Sequence, residues 1–302
     1  VSSPELKEFA DFYADLTRRF ALTQSVELWR DISERIHQLA TEPENVTYRE
    51  VTANGVPGIM VIPAESSPEQ VLLHSHSGGG MVASMWQERK AVGHLAKAAG
   101  SRALVINYRL APENKFPAQI DDVEAAFRWL LDQGYQPSRI ASTGDSIGGN
   151  LALNLALTRL RKNATLPGAV LSISPWLDME LKNKAIDANA HTDRMLSREL
   201  LSGFRDAMLD GTGVAINDPR INLVSADPAG LPPTFIYYGD YEILTDDSQK
   251  FAERARAAGV DIKLHSLPEG QHNFFVGAGR VPEISAAVAE MGSWLRSKIG
   301  PA

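Results

Sequence analysis

The feature that most narrows the fold is an alternation. From residue 71 onward, short apolar runs of strand length take turns with longer segments whose apolar residues recur at helical spacing. The runs are VLLHSH at 71–76, ALVINY at 103–108, RIASTG at 139–144, GAVLSIS at 168–174, TFIYYG at 234–239 and IKLHSL at 262–267. Helical patterns lie near 85–98, near 118–133 and from Ile147 onward, and Ile284, Val288, Met291 and Leu295 mark a helix at the carboxyl end. Strands that are apolar throughout are buried on both faces, and strands that alternate with helices run parallel. The pattern predicts an α/β chain whose mostly parallel sheet is covered by helices on both faces. A length of 302 residues suits one large domain spanning 1–302.

Two segments stand outside the alternation. At the amino end, Ser3 and Pro4 read as cap and first helical residue. Leu6, Phe9, Tyr13, Leu16 and Phe20 then form one apolar stripe, and Trp29, Ile32, Ile36 and Leu39 a second. Two strand-like runs follow, near 46–51 and 56–62. The stretch 180–215 is polar at first and helical near 197–210. The segments about 1–45 and about 180–215 are expected to form a cap over the strand ends.

Composition removes several classes of function. The chain has no cysteine, which excludes disulfides, thiolate zinc sites and a cysteine nucleophile. Its net charge is -7 with 22% charged residues, so electrostatics give no reason to expect nucleic acid or an anionic membrane as partner. No apolar run approaches the ~18 residues of a membrane span. The opening VSSPELKEFADF lacks the basic-then-apolar pattern of a secretory leader, and a cytoplasmic location is expected. A homo-oligomer is compatible with the sequence, which does not specify one.

The chemistry enters at residues 144–148, Gly-Asp-Ser-Ile-Gly. This G-x-S-x-G falls after an expected strand and before an expected helix, the context in which the pattern has a physical meaning. A sharp strand-to-helix turn strains the serine backbone and pushes Ser146 Oγ out at the carboxyl edge of the sheet, where open α/β sheets bind ligands. Side chains at the two glycines would collide with neighbouring backbone. The same turn sets the Ile147 N–H at a helix N-terminus, facing any negative charge that develops nearby.

A serine hydroxyl needs a base. Of the seven histidines, His37 and His94 lie on expected helices, His265 within a strand and His191 in the inserted stretch. His272 sits in PEGQHNFF, just after the last strand, where the chain order Ser, acid, His puts the base. The acid should follow TFIYYG, and GDYEILTDD offers Asp240, Glu242, Asp246 and Asp247. Sequence order alone does not choose among them. HSHSGGG, His74 to Gly80, leaves another strand, and its glycines let backbone N–H groups approach an oxyanion without interference from Cβ. His74 and His76 would share one strand face, yet no third acidic or imidazole ligand lies near them in sequence, so no metal site is expected.

The motifs together resemble the hormone-sensitive-lipase-like (bacterial family IV) esterases. The resemblance rests on GGGMVAS at 78–84, NYRLAPENKFPA at 107–118, GDSIGGN at 144–150, SPWLD at 174–178, YEILTDD at 241–247 and EGQHNFF at 269–275. It implies an α/β-hydrolase fold with an eight-stranded, mostly parallel sheet and a helical cap, and ester hydrolysis without cofactor. It implies Ser146 as nucleophile and His272 as base. The family's acid-x-Leu-x-Asp register selects Glu242, whose carboxylate should then lie ~2.6–3.2 Å from His272 Nδ1. The second and third glycines of the family's His-Gly-Gly-Gly map to Gly79 and Gly80, donors to the oxyanion with Ile147.

Two positions depart from the family. Ser77 stands where it has histidine, with His76 one place earlier, and Glu242 replaces the commoner aspartate and adds a methylene. The expected activity is hydrolysis of short-to-medium acyl esters through an acyl-enzyme. MWQERKAVGHLAKAAG resembles a subgroup that includes monoterpene lactone hydrolases, which makes a lactone the alternative substrate. A non-catalytic receptor on the same scaffold is the third reading. Phe20, Met81, Trp86 and Trp176 are the candidates for the wall that would set specificity.

Overall fold

The structure is a computed structural model in which residues 2–300 are described. Eight strands form one sheet: β1 (Val46–Ala53), β2 (Val56–Pro63), β3 (Ser67–Ser75), β4 (Ser101–Ile106), β5 (Ile140–Asp145), β6 (Ala169–Ile173), β7 (Thr234–Gly239) and β8 (Ile262–Leu267). Their spatial order is β1-β2-β4-β3-β5-β6-β7-β8. Only β2 runs antiparallel to its neighbours β1 and β4, and every other pairing is parallel. The central strands β5, β6 and β7 are buried along their whole length, whereas the edge strand β8 is largely half-exposed.

Alternate residues of each strand feed opposite layers. Leu72, Ala103 and Val105 join one core, while Val71, Leu73, Leu104 and Ile106 join the other. The first layer holds α3 (Met85–Ala99) and α9 (Pro282–Ile299), together with α1 (Pro4–Phe20). The second holds α4 (Ala118–Asp132) and α5 (Ile147–Arg161). Helix α1 begins as its sequence dictates: Ser3 Oγ accepts from the Leu6 N–H, and all five stripe residues are buried. The second stripe is split between α2 (Val26–Glu34) and a 3₁₀ turn at Arg35–Gln38.

The inserted stretch carries the short α6 (Ala185–Ala188) and α7 (Arg198–Leu209). The sequence reading missed α8 (Thr245–Ala257), between β7 and β8. Its buried face is Thr245, Asp247, Ser248, Phe251, Ala252 and Ala255, where Phe251 is the one large apolar residue and the rest are small or polar, too little to make an apolar stripe.

The close approach of α5 to β3 fixes the centre of the molecule. A Cβ on Gly148 would lie 1.9 Å from the Ser75 carbonyl oxygen, and one on Gly144 would lie 2.2 Å from the Gly148 oxygen. Gly203, exposed in the middle of α7, has open space around its would-be Cβ. Gly148→Ala is therefore expected to cost about 3 kcal/mol of stability, while Gly203→Ala gains up to about 1 kcal/mol from helix propensity. Urea unfolding of the two variants checks both signs.

Candidate functional site

Ser146 caps the start of α5 with φ 56° and ψ −122°, a region that side chains other than glycine rarely occupy. The conformation is held from several sides. The Ser146 N–H donates to the Ile173 oxygen at 2.9 Å, and the Ser146 oxygen accepts from the Trp176 N–H at 3.1 Å and the Asn150 N–H at 3.2 Å. The hydroxyl stands at the carboxyl end of β5, as the turn requires.

His272 Nε2 lies 2.9 Å from Ser146 Oγ. The other ring nitrogen faces Glu242, with Nδ1 3.5 Å from Oε2, and both side chains are buried. The contact is longer than the ~2.6–3.2 Å expected, and Nδ1 makes no hydrogen bond among the described residues. The remaining acids of that segment are elsewhere. Asp240 is exposed; Asp246 accepts from the Lys184 N–H at 2.9 Å; Asp247 is buried but holds the Leu177 and Asp178 N–H groups, each at 2.8 Å. Burial raises the Glu242 carboxyl above the usual range, against the pull of His272.

Three successive glycines turn beside the serine, with φ of 98° at Gly78, 61° at Gly79 and 73° at Gly80. A Cβ at Gly79 would sit 2.3 Å from a Phe204 ring carbon, and one at Gly80 would sit 2.5 Å from Met208 Sδ. Only residues without a side chain fit between the sheet and α7. Among the described residues, none accepts a hydrogen bond from the N–H groups of Gly79, Gly80 or Ile147.

Ser146 and His272 open into a narrow, mostly apolar cavity. Phe20 and Ile36 from the amino-terminal helices and Met195, Leu200 and Phe204 from the inserted stretch form much of its wall. Of the four wall candidates, Phe20 and Trp176 line the cavity. Met81 is buried outside it, its carbonyl accepting from Arg30 Nε at 3.0 Å, and Trp86 is 45% exposed on the first turn of α3.

A family model described as alpha/beta hydrolase fold matches residues 72–276. The chain belongs to this family. An esterase of Acinetobacter venetianus is 32% identical over 269 residues, covering 89% of this chain and 88% of the relative. An acetyl-hydrolase of Streptomyces hygroscopicus is 36% identical over 236 residues, with 76% and 77% covered. The crystal structure of an esterase from the bacterial hormone-sensitive lipase family superposes with a TM-score of 0.94 at 34% identity, over 99% of this chain and 100% of that one. The resemblance read from the motifs therefore holds: this is an α/β-hydrolase of the hormone-sensitive-lipase-like branch.

Two parts of this hydrolase's site escaped sequence reasoning. The first is a buried charge cluster. His74 Nε2 lies 3.1 Å from Glu88 Oε2 and 3.2 Å from Asp145 Oδ1, and Nδ1 lies 2.9 Å from Thr143 Oγ1. Glu88 Oε1 accepts from the Ser77 N–H at 2.9 Å and from the Ser77 hydroxyl. The expectation that His74 and His76 share a face, with no acidic group near, is thus corrected. Strand β3 ends at Ser75, and His76 turns away to stack on Tyr108, ring centroids 4.2 Å apart. Glu88 and Asp145 reach His74 from α3 and β5, and the three donors lie within 4.8 Å of one another. They are already spent on one another and on Ser77, an arrangement of hydrogen bonds that needs no ion.

Burial opposes a charge on His74, but hydrogen bonds and attraction from Asp145 and Glu88 outweigh it and raise its pKa to about 9. Burial and the Glu88 charge push the Asp145 carboxyl well above the usual carboxylate range, against the pull of His74. Glu88 goes the other way: burial opposes its charge, but the His74 hydrogen bond and charge hold it ionised.

The second missed residue is Asp193, buried in the inserted stretch. Its carboxylate accepts from the N–H groups of Met195, Leu196 and Ile243 at 2.9, 2.8 and 2.9 Å, and so ties the insertion to the loop that carries Glu242. Burial raises its pKa, and the His272 charge lowers it. An Asp in a polar stretch carries no signal of this until the fold brings residues 193 and 243 together.

Replacing Glu242 by Gln keeps its size and removes its charge. It is expected to lower kcat roughly 10²–10⁴-fold, whereas Asp240→Asn and Asp246→Asn cost far less; steady-state kinetics on one ester separate the three.

The His74 pKa, raised from 6.5 unfolded to about 9, means that this histidine's contribution is complete below about 6.5 and is lost as pH rises through about 9. Asp145, with its raised pKa, works in the same direction. NMR titration of histidine-labelled protein should find the His74 ring still charged at about pH 8, with the unfolding midpoint falling above it. A neutral ring at that pH contradicts the charge assignment.

Proposed function

We propose that this α/β-hydrolase is a serine carboxylesterase in which Ser146 attacks the ester carbonyl while His272 takes the serine proton. The observation that carries the reading is the 2.9 Å contact between His272 Nε2 and Ser146 Oγ at the floor of an apolar cavity. Glu242 holds the imidazole through Nδ1 and offsets its positive charge, and the nearby Asp193 carboxylate adds to that field. The N–H groups of Gly79, Gly80 and Ile147 receive the oxyanion. Their lack of any acceptor among the described residues supports this role, because preorganised donors need no rearrangement as charge develops. Collapse of the tetrahedral intermediate expels the alcohol, which takes its proton from His272. Water activated by the same base then releases the acid from Ser146.

The amino-terminal helices and the stretch about 180–215 act as the cap. Their side chains supply apolar wall on the side away from the sheet, and Trp29 of the first packs edge-on against Phe204 of the second at 6.0 Å. The narrow cavity suits short-to-medium acyl esters. The relatives described above are named for ester and acetyl hydrolysis, which favours an open-chain ester over a lactone. No helix among the described residues is long and apolar enough to cross a membrane.

Ser146→Ala is expected to lower kcat on p-nitrophenyl butyrate by on the order of 10⁴-fold with the fold intact by circular dichroism. More than a tenth of the parent activity in purified variant would move the nucleophile elsewhere.

A further inference from the structure

The ester reaction leaves one side chain of the cavity without a task. Gln87 lies in the first turn of α3, where its backbone N–H donates to Ser84 Oγ at 3.3 Å. Its side chain lines the cavity that holds Ser146 and His272. The residue is 3% exposed, and neither Oε1 nor Nε2 has a hydrogen-bond partner among the described residues. Asn273, directly after the base, lines the same cavity at 2% exposure, and its Oδ1 is likewise unpartnered. Its backbone is fixed in the left-handed region at φ 53°, with its carbonyl accepting from Tyr13 Oη at 3.1 Å.

A buried amide with neither its donor nor its acceptor satisfied is costly, and a wall of this kind is cheaper in leucine or methionine. The neighbouring wall is of that cheaper kind: Phe20, Val82, Leu200 and Phe204. The amide of Gln87 has no proton to give or take in acyl transfer.

We propose that Gln87 and Asn273 form a polar subsite for a hydroxyl group carried by the ester substrate. The inference rests on the esterase reading and adds the substrate class. A hydroxyl both donates and accepts. It can donate to Gln87 Oε1 or Asn273 Oδ1 while accepting from Gln87 Nε2, which pairs two of the three orphaned atoms. A charged substituent fits less well, because no Lys, Arg, Asp or Glu lines the cavity.

The subsite predicts discrimination of a recognisable kind. A site built to hydrogen-bond a substrate hydroxyl rejects the analogue that lacks it, since binding then strips water from polar atoms and returns nothing. Two matched pairs test both ends of the ester: p-nitrophenyl butyrate against each enantiomer of p-nitrophenyl 3-hydroxybutyrate, and butyl acetate against 3-hydroxybutyl acetate in a pH-stat. In at least one pair the hydroxylated ester should show kcat/KM higher by on the order of tenfold. Gln87→Met should invert that preference, the hydroxylated ester losing and its parent gaining. Should Gln87→Met fail to fold, Gln87→Asn, which withdraws the amide by one methylene, must lower the same ratio.

A wild-type enzyme that prefers the unsubstituted ester in both pairs overturns the subsite whatever the variants do. So does a Gln87 variant that keeps the wild-type preference. Failure to hydrolyse any of these esters would instead strike the esterase reading itself.

Discussion

Everything at the reacting centre depends on how closely the first turn of α5 approaches β3. With less than van der Waals room at Gly144 and Gly148 for even a methyl group, the chain between them has one route, and that route strains Ser146 into a positive φ. The strain is sustained because Ile173, Trp176 and Asn150 each hydrogen-bond the serine backbone. Asn150 repeats the theme one turn later: its side-chain amide donates to the Trp176 and Ile221 carbonyl oxygens at 3.0 and 2.9 Å. The cost of an unfavourable backbone conformation is thus met by contacts that any relaxation would break.

The buried cluster behind this turn links the two loops that must agree in position. Asp145 immediately precedes Ser146, and Ser77 immediately precedes the glycine turn. His74 bridges Asp145 to Glu88, and Glu88 grips Ser77. Where the wider family has histidine before its glycines, this chain uses Ser77 and fastens it to a carboxylate from α3. The two carboxyl groups hold the His74 charge, while Asp145 is pushed up and Glu88 is held down, so the three buried ionisable side chains offset one another. Thr143 completes it: its oxygen can accept from His74 Nδ1 while its hydroxyl donates to the Leu73 carbonyl oxygen at 3.4 Å.

The sheet was legible in the sequence because short strand-like runs alternate with segments of helical periodicity, and all eight runs became strands. The pairing of Ser146 with His272 was legible because G-x-S-x-G and the loop after the last strand have meaning only in one topological setting. Glu242 needed the resemblance to a family, since four carboxylates within eight residues are equivalent until the fold turns one toward His272. Helix α8 was hidden by a buried face in which Phe251 stands alone among alanine, serine, threonine and aspartate. The His74 cluster was hidden by distance along the chain: residues 74, 88 and 145 come from two strands and a helix, and nothing local marks them as partners. Met81 and Trp86 were misread as cavity wall for a related reason, because proximity to the glycine turn in sequence does not say which way a side chain leaves it.

The central claim is that Ser146, and no other residue, carries the acyl group. The most direct measurement is covalent labelling with an organophosphate, followed by intact mass and peptide mapping. The account predicts one phosphoryl adduct per chain, located on the peptide that contains Gly144-Asp145-Ser146, with ester hydrolysis lost in proportion to labelling. An adduct on another residue, or hydrolysis that survives complete labelling of Ser146, would contradict it.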